Sequence, residues 1–217
     1  PMGFYSLDAL GRDARRNGIQ TLLPHINKSD VVCTAEGTDL RIGLGFVRNW
    51  GTEIAEHIVK ERRRNGPYIS LTDFLRRTPS ELQRPAIENL IWVGGFNEFG
   101  LTRRELLWQA GLWLGPDTNN SCKRSRNNHA QTELALGNPY ESLSFPEVEQ
   151  TEQLIAEYQM LHFSTELHPL SLLKNVLPKD TLTSDRLPLL RQGSTVRVAG
   201  LVTTRQRPST AKGYVFV

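Results

Sequence analysis

The sequence predicts a mainly α-helical fold with a short α/β piece before the helices and strands at the end of the chain. Apolar residues recur at three- and four-residue spacing in 54–59, 71–75 and 87–91, which is the spacing of one buried helix face. Glycines or capping residues stand at the ends of these stretches. Alternating apolar runs, which are typical of strands, are confined to 19–23 and 196–217.

Composition limits the classes of protein that need to be considered. The 217 residues carry a net charge of +3 and give a pI near 9.0, which permits nucleic-acid binding without demanding it. Cys33 and Cys122 lie far apart without metal-site spacing, which argues against a zinc site or a disulfide scaffold. No apolar run is long enough to cross a membrane. We therefore expect a cytoplasmic protein with no membrane partner.

The first segment combines one helix with one extended run. Leu7, Leu10 and Ala14 share a helical face that ends at Asn17-Gly18, and residues 19–23 then alternate like a strand. The arginines of this helix could meet a phosphate, but a solvated face is the favoured interpretation.

Residues 41–61 (RIGLGFVRNWGTEIAEHIVKE) form the stretch around which the prediction is organised. We expect an apolar helix that ends at Val47, a tight turn at Asn49-Trp50-Gly51, and a second helix that starts at once. Gly51 and Asn49 occupy positions where such a turn needs a positive φ, which glycine adopts freely and asparagine tolerates.

The start of the second helix predicts a site for a phosphate. Its first amides lack partners within the helix, and the helix dipole adds to their attraction for an anion. This is the arrangement of a helix-hairpin-helix, which holds a DNA backbone without reading its sequence. An ordinary helical hairpin with a glycine turn would leave the same pattern. The candidate DNA-binding residues here are Asn49, Trp50, Gly51, Thr52, Lys60, Arg62, Arg63 and Arg64.

Residues 66–115 look like a second copy of this unit. Three helices are predicted, with Ser70, Ser80 and Thr102 as their capping residues. An apolar glycine turn, 93–96, separates the last two. The spacing is typical of tandem helix-hairpin-helix units in a packed all-α domain. This second match is weaker, so a structural role stays open beside DNA binding through Gly94 and Arg103.

Two different segments follow the helices. Residues 116–139 are polar and predict a flexible linker. Residues 127–173 carry seven glutamates and no Lys or Arg. Within them, 150–161 predicts a helix with Leu154, Ile155, Tyr158 and Leu161 on one face.

The charge reverses at the end of the chain, where six basic residues and no acid follow from Arg186 onward. Strands are predicted at 196–202 and 214–217, joined by a basic loop. An OB barrel begins in this way and binds single strands with that surface, although any β-hairpin with a soluble loop would look similar. The candidate contacts to a single-stranded template are Arg205, Arg207 and Lys212.

Several stretches resemble one family in the family's own order. They are PMGFYS at 1–6, DARRNG at 13–18, RIGLGFVRNWG at 41–51, GPYISLTDFLRRT at 66–78, AIENLIWVGGF at 86–96, RRELLWQAG at 103–111 and VRVAGLVTTRQRPSTAKGYVFV at 196–217. Together they resemble the C-terminal third of the bacterial DNA polymerase III alpha-subunit family, most closely its error-prone branch. One departure is Asn49, where the family's first hairpin usually has glycine, so a weaker phosphate contact is expected there.

The resemblance implies a division into five segments. Residues 1–35 would close the fingers domain, 36–115 would be the tandem helix-hairpin-helix domain and 116–149 a linker. Residues 150–190 would be a helix and connection, and 191–217 would open a truncated OB domain. Both ends of the chain have the character of cuts, so we expect a piece of a larger protein.

The resemblance also implies a noncatalytic DNA-holding role in an error-prone polymerase that acts in DNA damage tolerance and translesion replication. The family's catalytic carboxylates hold Mg²⁺ in a palm domain that precedes this region, so no catalytic residue and no cofactor are assigned here. Two alternatives stay open from the residues alone. One is a stand-alone helix-hairpin-helix and OB repair adaptor, and the other is a helical domain that only docks partners.

A sliding clamp and a translesion accessory protein are the further partners that the resemblance implies. In the family a short motif between the helical and OB domains docks on the clamp, with a glutamine followed by spaced apolar anchors. The first candidate is Gln131 with Leu134 and Leu136, and the second is Leu143 with Phe145. Both lie beside the predicted linker, where a peptide can extend into a groove.

Overall fold

The computed structural model describes residues 7–79, 81–114, 145–165, 167–202 and 205–207. The chain forms two compact units, Pro1–Glu166 and Leu167–Val217. Helices dominate the described residues, so the mainly α-helical prediction is confirmed. None of the helices in these ranges has the length and apolar character needed to cross a bilayer.

The first unit begins with a helix and a small sheet. Helix α1 spans Leu7–Arg16, and strands β1, β2 and β3 span Thr21–Leu22, Thr34–Glu36 and Asp39–Arg41. Gly18 follows α1 with φ +80°, which confirms the predicted helix end. Strand β3 lies in the middle of the sheet, parallel to β1 and antiparallel to β2.

The segment before the first turn differs from the prediction. Instead of an apolar α-helix ending at Val47, a single 3₁₀ turn spans Leu44–Phe46. Leu44 and Gly45 donate backbone hydrogen bonds to the carbonyls of Asp30 (2.8 Å) and Val31 (3.0 Å). A Cβ atom on Gly43 would lie 2.4 Å from the carbonyl carbon of Val32. The glycine therefore permits a close backbone approach, which replaces the expected helix.

Four helices build the centre of the first unit. They are α2 (Gly51–Asn65), α3 (Leu71–Arg77), α4 (Arg84–Trp92) and α5 (Arg103–Leu114), with a 3₁₀ turn at Asn97–Phe99. The Ser70 hydroxyl accepts from the Asp73 amide at 3.1 Å, and that of Thr102 accepts from the Glu105 amide at 3.3 Å, which confirms both caps. Helix α4 starts later than predicted, because Gln83 is its N-cap and Pro85 lies in its first turn. Ser80 itself lies outside the described residues.

One aromatic cluster joins the helices. The Phe74 ring on α3 lies 6.4 Å from that of Trp50, 5.2 Å from that of Tyr68 and 5.0 Å from that of Phe96, measured between centroids. All four side chains are buried. Trp50 stands just before α2 and Phe96 just after α4, so Phe74 connects the segments that flank two different helix turns.

Helix α6 spans Gln150–Leu161, the range predicted from the sequence. Leu154 and Leu161 are buried as expected, whereas Ile155 is half exposed. The Tyr158 hydroxyl donates to the Asp8 carboxylate at 3.3 Å, and Arg15 donates to the Thr165 carbonyl at 2.6 Å. Helix α1 is therefore fastened to both α6 and the segment that follows it.

A partly buried loop at residues 25–29 packs against the core through Ile26. The Nδ1 atom of His25 accepts the Asn27 amide at 3.1 Å, and its Nε2 atom lies 3.4 Å from a Glu98 carboxylate oxygen. Burial lowers the pKa of His25, against the opposing effect of Glu98. In the unfolded chain, His25 therefore binds its proton at a higher pH than it does in the folded chain.

We expect the free energy of unfolding to fall as the pH drops from 7.5 through the ordinary histidine value of 6.5. The loss continues until the lowered pKa of folded His25 is passed. In the variant His25→Asn, whose amide oxygen can still accept the Asn27 amide, this decline should be reduced. Urea unfolding between about pH 7.5 and 5.5 measures it, with the exposed His57→Asn as control. An unchanged decline in His25→Asn would show that another group is responsible.

The second unit contains short elements. Helix α7 spans Pro169–Leu172, strands β4 and β5 span Thr181–Leu182 and Arg197–Val198, and a 3₁₀ helix spans Ser184–Leu189. Strand β5 is shorter than the predicted 196–202, and it pairs in parallel with β4 over two residue pairs. The predicted strand 214–217 lies outside the described residues, so the OB barrel stays a prediction.

Candidate nucleic-acid interface

The turn before α2 has the backbone conformation that the sequence predicts. Asn49 has φ +68° and Gly51 has φ +65°. No described atom lies within 4 Å of a Cβ built on Gly51, so its conformation, not crowding, calls for glycine. Asn49 thus adopts the left-handed conformation that glycine would provide at this position. We call residues 44–65 the first hairpin and residues 47–51 the first turn.

The first turn leaves the start of α2 open. Trp50 is the N-cap residue and provides no side-chain cap. Its amide donates to the Val47 carbonyl at 3.1 Å, which leaves the amides of Gly51, Thr52 and Glu53 without partners inside the helix. These three residues are exposed. These three amides and the helix dipole together favour the binding of a phosphate oxygen at the start of α2.

Hydrogen bonds from two other helices hold the first turn in place. The Asn89 side chain on α4 donates to the Arg48 carbonyl at 2.8 Å, and the Arg48 amide donates to the Met160 carbonyl on α6 at 3.1 Å. The Trp50 indole donates to the Ala86 carbonyl at 2.8 Å and is fully buried. The prediction of Trp50 as a DNA contact is therefore corrected, since its side chain belongs to the core.

An exposed row runs along α2. Thr52, Glu56, Lys60 and Arg64 are spaced by four residues, so they line one face, and all are exposed. At about 1.5 Å per residue, Arg64 lies roughly 20 Å from the open amides. Glu56 separates the two ends and has the same sign of charge as a phosphate. The row therefore offers two separate places for a DNA backbone, one at the amides and one at Lys60 and Arg64.

The three arginines in the last turn of α2, Arg62 to Arg64, differ in their exposure and in their contacts. Arg62 is partly buried and donates to the Ile26 carbonyl at 2.6 Å, and burial lowers the pKa of its guanidinium. Arg63 is exposed and pairs with the Asp30 carboxylate at 2.6 Å. Of the three predicted arginines, only Arg64 makes no hydrogen bond or ion pair within the part of the chain that the structure describes.

Arg48 was not among the predicted residues, although it is an exposed cation inside the first turn. The cations predicted for the first hairpin, Lys60 and Arg62 to Arg64, all follow the turn. Its position immediately before Asn49 is the sequence signal that could have identified it. Because both backbone groups of Arg48 are hydrogen-bonded, its side chain extends from a fixed point beside the open amides.

The second hairpin, residues 84–114, offers a different surface. Gly94 is buried and has φ +80°. A Cβ atom on Gly94 would lie 3.0 Å from the Arg103 guanidinium and 2.8 Å from the side-chain nitrogen of Asn97. The first amides of α5 are capped by Thr102, and the Glu105 carboxylate accepts the Thr102 amide at 2.7 Å. Both helices have a glutamate in the first turn, Glu53 in α2 and Glu105 in α5. The start of α5 is less suited to an anion because its amides are capped, whereas those of α2 are not.

A polar cleft of about 440 Å³ lies beside Arg103. Its lining includes Asn97, Thr102, Glu147 and Gln153. Arg103 lines this cleft, and Gly94 lies beside the Arg103 guanidinium.

The remaining predicted site residues divide between the two units. Arg205 and Arg207 are exposed in the second unit, and Lys212 lies outside the described residues. Among the clamp candidates, Gln131, Leu134, Leu136 and Leu143 also lie outside them. The Phe145 ring lies 6.2 Å from that of Trp108 on α5, and the Phe145 amide donates to Glu105 at 3.4 Å. Phe145 is therefore engaged within the fold rather than presented as a free anchor.

Comparison with known proteins agrees with this geometry. The family model described as a helix-hairpin-helix motif matches residues 18–106, a range that includes both turns. The first turn and the turn of the second hairpin therefore lie within one matched region.

Relatives are found along the full length of the chain. It is 35% identical over 220 residues to an error-prone DNA polymerase of Mycobacterium bovis. The corresponding values are 34% over 227 residues for that of Corynebacterium efficiens and 31% over 242 residues for that of Bdellovibrio bacteriovorus. Each match covers 100% of this chain and 19–21% of the relative, so the chain spans about a fifth of their length. The predicted resemblance is confirmed: along its whole length this chain is similar to error-prone DNA polymerases of bacteria, and its residues 18–106 match a helix-hairpin-helix motif.

Proposed function

We propose that the chain is the noncatalytic, DNA-holding C-terminal segment of an error-prone DNA polymerase that acts in DNA damage tolerance and translesion replication in the bacterial cytoplasm. The observation that carries the proposal is the uncapped, exposed start of α2 on a turn fixed by α4 and α6. Its support is the relationship to error-prone polymerases and the helix-hairpin-helix match.

Under this proposal the first hairpin holds duplex DNA by its backbone. The amides of Gly51 and Thr52, with the Arg48 side chain, take one phosphate. Lys60 and Arg64 take another further along α2. These contacts carry no base information, so the expected role is to position the duplex rather than to select a sequence.

The second unit would hold the single-stranded template. Residues 167–217 contain eight Lys or Arg residues and two acidic residues, a balance that attracts a nucleic-acid backbone. Arg205 and Arg207 are exposed there, and Lys212 completes the proposed contact set. The OB barrel that would organise this surface is part of the proposal.

Nucleotidyl transfer is assigned to a separate palm domain with its Mg²⁺ ions, and none of this chain's residues receives a catalytic role. A sliding clamp or a translesion accessory protein stays a proposed partner. Because Phe145 packs on Trp108, the clamp proposal now rests on Gln131, Leu134 and Leu136.

Salt-dependent binding of the 217-residue chain to duplex DNA tests the proposal. We expect log K to fall with log[salt] with a slope of at least about 2.7 in magnitude, since Arg48, Lys60 and Arg64 would each contribute about 0.9. Two duplexes of unrelated sequence should give the same affinity within about twofold. Primer extension with Mg²⁺ should stay at background. Undetectable duplex binding at low salt would overturn the DNA-holding function, and clear primer extension would overturn the noncatalytic assignment.

A further inference from the structure

Both ends of α2 are fastened to the second hairpin through buried or partly buried side chains. At the start of α2, the Asn89 side chain holds the Arg48 carbonyl at 2.8 Å. At its end, Arg62 holds the Ile26 carbonyl at 2.6 Å, and the Ile26 amide donates to the Gly95 carbonyl at 2.9 Å. Asn89 lies on α4, and Gly95 lies in the turn that follows α4.

We propose that Asn89 and Arg62 are positioning residues, which fix the phosphate-binding helix α2 against the second hairpin so that the second hairpin supports the DNA-binding first hairpin as one rigid unit. The inference rests on the proposed DNA-holding function. It gives Arg62 a role other than the phosphate contact predicted from the basic run.

The burial of Asn89 supports its part of the proposal. Asn89 is 7% exposed, and its side-chain N–H satisfies a carbonyl in the turn that precedes the open amides. An unsatisfied carbonyl at this place would be unfavourable, so without Asn89 the turn would change its backbone conformation. The amides of Gly51 and Thr52 would then lose their common direction.

The comparison of Arg62 with Arg64 supports the other part. Both lie in the last turn of α2, but the guanidinium of Arg62 points to the Ile26 carbonyl, whereas Arg64 is exposed. Ile26 is fully buried and also bonds to Gly95. Arg62 therefore links the end of α2, through Ile26, to the turn that follows α4. The exposed side chain of Arg64 can instead neutralise a phosphate.

The first test uses amide hydrogen exchange without DNA. Asn89→Asp replaces the donating N–H with an acceptor. We expect the hydrogen-bonded amides of the first turn, those of Arg48 and Trp50, to exchange on the order of tenfold faster. Asn17→Asp is the matched control, because Asn17 also donates to a backbone carbonyl, that of Asp13 at 2.9 Å, but at an exposed site. If Asn89→Asp does not fold, Asn89→Ser makes the same test without a charge. Unchanged exchange at Arg48 and Trp50 in a folded variant overturns the role of Asn89.

The second test separates positioning from phosphate contact by the salt dependence of duplex binding. Arg62→Met should weaken binding on the order of tenfold with the salt slope unchanged, whereas Arg64→Met should reduce the slope by about 0.9. Arg62→Lys should restore much of the affinity, because an ammonium can still donate to the Ile26 carbonyl. A slope reduced by Arg62→Met, or an unchanged affinity, overturns the role of Arg62.

The two proposals fail in different ways. If the wild-type chain does not bind duplex DNA, the proposed function is overturned, and faster exchange in Asn89→Asp still supports the fixing of the first turn. If the wild type binds DNA but Asn89→Asp and Arg62→Met match it in exchange and affinity, the proposed function stands and the positioning role is overturned.

Discussion

Phe74→Ala is expected to lower the free energy of unfolding of the first unit by about 3–5 kcal/mol. Phe74 is fully buried, and its ring contacts those of Trp50, Tyr68 and Phe96. Removing it leaves a cavity between the segments that flank both turns. Urea unfolding followed by tryptophan fluorescence measures the change, because Trp50 reports directly on the cavity.

The control for this change is Ile69→Ala. Ile69 lies near α3 but is 81% exposed, so its truncation should change the free energy of unfolding by less than about 0.5 kcal/mol. A loss below about 1 kcal/mol for Phe74→Ala would contradict the view that one aromatic core supports both hairpins.

The largest expected effect on DNA binding comes from the triple variant Arg48→Ala, Lys60→Ala and Arg64→Ala. Each lost phosphate contact should weaken binding about eightfold at 0.1 M salt, so the triple variant should bind on the order of several hundredfold more weakly. All three side chains are exposed, so the free energy of unfolding should change little. Fluorescence anisotropy with a labelled duplex measures the affinity.

A matched variant in the second unit controls for net charge. Lys174→Ala, Lys179→Ala and Arg186→Ala remove the same charge from exposed positions outside the helix-hairpin-helix region. We expect a much smaller loss of duplex affinity. Equal losses in the two triple variants would indicate binding by net charge alone and would contradict a defined interface on the first hairpin.

Local sequence signals predicted much of the helical structure. The positive φ at Asn49 and Gly51, the Ser70 cap and the bounds of α6 follow from interactions within a few residues. Such features can be recognised because glycine conformations, capping side chains and apolar periodicity act locally.

The errors concern contacts between distant parts of the chain. The turn at 44–46 is not an α-helix, because Gly43 packs on the backbone of Val32. Trp50 lies in the core because α4 provides a carbonyl for its indole. Arg62 looked like its exposed neighbours, but the Ile26 carbonyl lies 36 positions away in sequence. A basic run shows which charges exist, whereas the tertiary fold decides which of them reach DNA.

The most direct test of the DNA-holding role is an NMR titration of the ¹⁵N-labelled chain with a short duplex. The amide resonances of Gly51, Thr52 and Glu53 should shift first and furthest, in proportion to the bound fraction, and added salt should reverse the shifts. The same shifts should appear with a duplex of unrelated sequence. Binding that shifts other amides while these three stay in place would contradict a phosphate site at the start of α2.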